Sequence, residues 1–92
     1  MGSDAVGAPM TKAMADAYWR DAAYELLVAE MDARKMSYKQ LSAALEKLGV
    51  QESPDVLNRR VNRRGFSAGF LLMCLRALEV ESLSVPSGLQ RD

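Results

Sequence analysis

An all-α domain of four to five helices is what this 92-residue sequence predicts. Three observations carry that prediction. Apolar residues recur at three- and four-residue spacings from Ala15 onward, serines stand just ahead of three such runs, and glycines close two of them. No alternating strand pattern interrupts the series.

The first helix is expected from about Ala15 to Lys35. Trp19, Ala22, Ala23, Leu26, Leu27 and Met31 gather on one face, and Asp21, Glu25 and Asp32 fall on the other. Ser37 then opens a second helix, Tyr38 to Leu48, with Gln40 placed for a capping box and Gly49 placed for a left-handed turn after the end. Its expected buried stripe is Tyr38, Leu41, Leu45 and Leu48. Ser53-Pro54 supplies an N-cap and a first-turn proline for a third helix, DVLNRRVNRR, which is expected to stop at Gly65. Ser67 caps a fourth, AGFLLMCLRALE, so apolar that it is expected at the centre of the core. Val80, Leu83 and Val85 are expected to fold back over it. Residues 1–14 read as a flexible leader, 15–85 as one domain and 86–92 as a tail.

Composition narrows the function classes. Twelve basic and twelve acidic residues balance, but their distribution is polar. Asp16 to Asp32 holds five carboxylates against one arginine, whereas Val56 to Leu78 holds five arginines and no carboxylate. Histidine is absent, and the one cysteine, Cys74, sits in an apolar run, where it reads as core. Neither a cysteine-based metal cluster nor a glycine-rich phosphate loop is present, so an enzyme is not expected, and no cofactor. No apolar run is long enough for a membrane span and no signal peptide is visible, so a cytoplasmic protein is expected, with no membrane partner and no small-molecule substrate.

Helices two and three, joined by a short turn containing glycine, have the arrangement of a DNA-reading helix-turn-helix. Around helix three, Leu57 and Val61 share the inward side, while Asp55, Asn58, Arg59, Asn62 and Arg63 span the outward arc. Asparagine and arginine are the residue types that contact adenine and guanine edges, and arginine also neutralises phosphates. Asn58, Arg59, Asn62 and Arg63 are therefore candidate contacts with double-stranded DNA, as is Lys39 at the start of helix two. Arg60 and Arg64 lie nearer the buried side, with phosphate contact and a structural pairing to Glu30 equally open. Tyr18, Trp19 and Tyr24 have too little basic company for a nucleic-acid stacking platform and read as packing residues.

The order of long helix, SYKQLSAALEKLGV, short polar helix and RRGFSAGFLLMCLRALEV resembles the lambda-repressor-like helix-turn-helix domains of the Cro type. More closely, Trp19, SY-x-x-L, LGV and RGFSAGFL look like a family of small bacterial domains of unknown function, over about Trp19 to Leu83. The second helix, Leu41 to Gly49, is longer by about a turn than the repressor pattern. The resemblance implies a lambda-repressor-like bundle and a transcriptional regulator binding double-stranded DNA. One short recognition helix offers only a few base-reading side chains, so a homodimer is expected, paired through Tyr24 and Val28 of helix one or through Leu83 to Leu89. A protein-interaction module, adaptor or antitoxin-like, docking the same basic helix on an acidic partner is the alternative.

Overall fold

The computed structural model describes residues 11–87, and among them are four α-helices and no strand: α1 (Lys12–Ala33), α2 (Tyr38–Lys47), α3 (Pro54–Arg63) and α4 (Ala68–Ala77). Of the expected leader, residues 1–10 lie outside the described residues and Lys12 to Met14 belong to α1. In the expected tail, Pro86 and Ser87 are exposed and non-helical, and residues 88–92 lie outside the described residues.

Each N-terminus is built from a side chain three residues away. Thr11 accepts from the Met14 N–H at 3.0 Å, which starts α1 three residues ahead of Ala15. Ser37 accepts from the Gln40 N–H at 3.2 Å while Gln40 Oε1 accepts from the Ser37 N–H at 2.8 Å, the expected capping box. Ser53 and Ser67 cap α3 and α4 in the same way, through the N–H groups of Val56 and Phe70. After α2, Gly49 takes a φ of 85° and the Val50 N–H closes on the Leu45 carbonyl at 3.0 Å, which turns the chain toward α3.

At the end of α3 the expectation is corrected. Arg64, not Gly65, holds the left-handed conformation, with a φ of 64°. At Gly65 a Cβ would meet the end of the flexible Arg20 side chain at 2.9 Å, so Arg20 lies close against the loop and would have to shift to admit one.

Two residues from each of the first three helices, Leu27 and Met31, Leu41 and Leu45, Leu57 and Val61, meet Phe70, Cys74, Leu75 and Leu78 in one core. Leu26, Phe66 and Leu71 are only partly buried against it. Trp19 is not in the core as expected but 44% exposed, with its ring edge-on to Tyr18 at 5.0 Å. The reason is length. α1 runs about 33 Å and the other helices about 15 Å each, so α1 extends past the core at its N-terminal end, and its first buried side chain is Leu27.

Three further expectations are revised. Leu48 leaves the buried stripe of α2 because the helix ends at Lys47, and it is 48% exposed. α4 is not covered on all sides: Leu72 is 67% exposed. Val80 packs on the core, but Leu83 and Val85 do not. Tyr24 and Val28, named above as a pairing surface, are partly buried against the domain's own core and partly open to solvent. Among the described residues no helix is long and apolar enough to cross a membrane.

Candidate nucleic-acid interface

α3 is oriented by two side chains. Leu57 and Val61 are fully buried, one turn apart, and hold their side of the helix in the core. Asp55, Asn58, Arg59, Asn62 and Arg63 are consequently on the solvent side, and all are exposed.

The arginines separate into two pairs. Arg60 is half-buried; its guanidinium stacks 4.1 Å from the Phe70 ring centre and donates to Glu52 Oε2 at 3.0 Å. Arg64 reaches α1, stacking 4.0 Å from the Tyr24 ring centre and donating to Asp21 Oδ1 at 2.9 Å. The hydrogen bond from Arg64 to Asp21 raises the guanidinium pKa further above its ordinary value. Neither pairs with Glu30, which holds Arg34 instead. Both are fastening residues between elements. Arg59 and Arg63, by contrast, have no ion pair or side-chain hydrogen bond among the described residues, so their charges face solvent uncompensated.

The asparagines are joined to α1 and α2. The Tyr24 hydroxyl donates to Asn62 Oδ1 at 3.3 Å, and Asn62 Nδ2 lies 3.3 Å from the Tyr38 oxygen, 2.9 Å from the Asn58 carbonyl oxygen and 2.6 Å from Asn58 Oδ1. Partial burial is the main reason the Tyr38 phenol is raised above its ordinary pKa, and the hydrogen bond with Asn62 works against that shift. Through Tyr38 the start of α2 is brought beside the outward side of α3. Lys39, the next residue, is exposed there.

Sequence reasoning missed three participants. Tyr24 and Tyr38 form a polar cradle for Asn62, although the spacing of Asn58 and Asn62, four apart, already placed the two amides within reach. Arg20 was the third: it is exposed, lies against Gly65 and borders the same end of α3, and its position depends on packing between elements far apart in sequence.

A family model described as a domain of unknown function, DUF6471, matches residues 19–83. The chain belongs to this family. No curated protein and no solved structure matches the chain. The matched span of the DUF6471 domain includes α2, α3, α4 and both arginine fasteners with their partners Asp21 and Glu52. It omits residues 12–18 of α1, none of which is buried.

Proposed function

We propose that this chain is a sequence-specific module for double-stranded DNA, a small cytoplasmic regulator of transcription and not an enzyme, with α2 and α3 serving as a lambda-repressor-like helix-turn-helix. One observation carries the reading. Arg59 and Arg63 project from the side of α3 opposite Leu57 and Val61 without a carboxylate partner among the described residues, while Arg60 and Arg64 are neutralised. A folded domain that compensates two arginines and leaves two neighbouring ones bare presents a local positive surface despite zero net charge. Lys39 extends that surface onto α2, where helix-turn-helix domains meet the DNA backbone.

Two copies are proposed to bind together, because one ten-residue helix offers few base-reading side chains. Met14 and Trp19 on α1, and Leu83 and Val85 after α4, are among the exposed apolar residues to which the pairing is assigned.

Titration of a random duplex at several salt concentrations tests the reading. With Lys39, Arg59 and Arg63 all brought to the DNA surface, affinity should fall log-linearly as salt rises. Absence of duplex binding at low salt overturns it and points to an acidic protein partner for the same helix.

A further inference from the structure

We infer that the outward side of α3 selects G·C base pairs and rejects adenine, an inference that rests on the DNA-binding reading and adds what that surface would read. Asn62 decides it. Its nitrogen lies 2.9 Å from the backbone carbonyl oxygen of Asn58, and since a carbonyl only accepts, the NH2 group must face it. The same nitrogen lies 2.6 Å from the side-chain amide of Asn58. Two NH2 groups would repel at that separation, so Asn58 turns its oxygen inward. The Asn62 oxygen is meanwhile occupied by the Tyr24 hydroxyl.

Neither asparagine can then make the contact that adenine requires. Bidentate reading of adenine takes an amide that offers an acceptor and a donor together, to N6 and N7. Asn62 is spent on Tyr24, Tyr38 and Asn58, and Asn58 keeps only its Nδ2 hydrogens for a ligand. With Arg59 and Arg63 also pure donors, the surface matches the paired acceptors O6 and N7 of guanine. Asp55, exposed in the first turn of α3, is a pure acceptor and matches the N4 amino group of cytosine in the same pair. Asn62 is thus a positioning residue: it sets which half of the Asn58 amide meets the groove.

Selection of bound duplexes from a random pool with the full chain is the experiment, repeated with Asn62→Ala and Asn62→Asp. The expected result is G·C pairs at the discriminating positions, and a loss of about tenfold when their guanines are replaced by 7-deazaguanine. Asn62→Ala frees the whole Asn58 amide, so adenine should enter the selected pool at one position; Asn62→Asp, an acceptor only, draws the Asn58 NH2 inward and turns its oxygen outward, so the preference for guanine there should fall. Asn62→Asp keeps an acceptor for both tyrosines and covers the case in which the alanine variant does not fold. A pool rich in A·T pairs, indifference to 7-deazaguanine, or unchanged base preference in a folded variant overturns the inference while leaving DNA binding intact. Failure to bind any duplex overturns the DNA reading itself and this inference with it.

Discussion

Arg64 ends α3 in a left-handed conformation and lays its guanidinium 4.0 Å from the centre of the Tyr24 ring, joining α3 to a helix forty residues earlier in the chain. Two effects oppose each other at this position. The left-handed backbone is strained for any residue with a Cβ, while the cation–π contact and the bond to Asp21 are made only by arginine. Arg64→Ala keeps the strain and loses the contacts; Arg64→Gly loses both. The alanine variant should melt below the wild type, and the glycine variant between the two or level with the wild type. Glycine melting below alanine would show that backbone strain is not relieved there.

Arg59 and Arg63 make no contact that folding depends on. The double variant Arg59→Ala/Arg63→Ala should change stability by within about 0.5 kcal/mol per site, as exposed substitutions do. Its duplex affinity should fall and its salt slope should flatten, since two cationic side chains leave the DNA surface. Thermal melting and a salt titration read the two effects separately. An unchanged slope would remove both residues from the interface.

The core makes a complementary prediction. Leu57 is fully buried in the common core, so Leu57→Ala should destabilise by about 2–5 kcal/mol, a large share of the stability of a domain this size. Leu72, on α4, faces outward, and Leu72→Ser should cost no more than about 0.5 kcal/mol. Urea denaturation of both variants checks the facing of the two helices. Equal losses would mean that α4 is covered on both sides.

What the sequence disclosed follows the range of each interaction. The caps of α2, α3 and α4 reach three residues, so Ser37, Ser53 and Ser67 could be read directly, and the facing of α3 followed from Leu57 and Val61. Arginine partners were not legible. Asp21 lies 43 residues from Arg64, and nothing local distinguishes it from Glu30. Gly65 looked like a helix stop because glycine usually is one there, but its room is used by Arg20 from another helix. Trp19 was misplaced because periodicity assigns a face to a helix without saying how much of its length has a neighbour. The candidate surface was legible as a set of residue types; its division into bare and compensated charges was not.

Cys74 gives the last prediction. Its side chain is fully buried, and burial pushes the thiol from an ordinary value of 9.0 up to about 11, against a smaller opposing pull from the Arg60 guanidinium. In the unfolded chain the thiol ionises near its ordinary value, whereas in the folded domain it keeps its proton to about pH 11. The contribution is therefore fully present below pH 9 and is lost as pH rises through the folded value, where the unfolded state has already released its proton. The loss amounts to about 2–3 kcal/mol at most. Tyr38, also raised by burial, acts in the same direction and needs its own control. Urea denaturation across the alkaline range should show stability falling in the wild type and in Tyr38→Phe, and falling less in Cys74→Ala, whose lower starting stability does not enter a comparison of slopes. Equal pH slopes in the wild type and Cys74→Ala would mean that the thiol titrates alike in both states and reaches solvent in the folded domain.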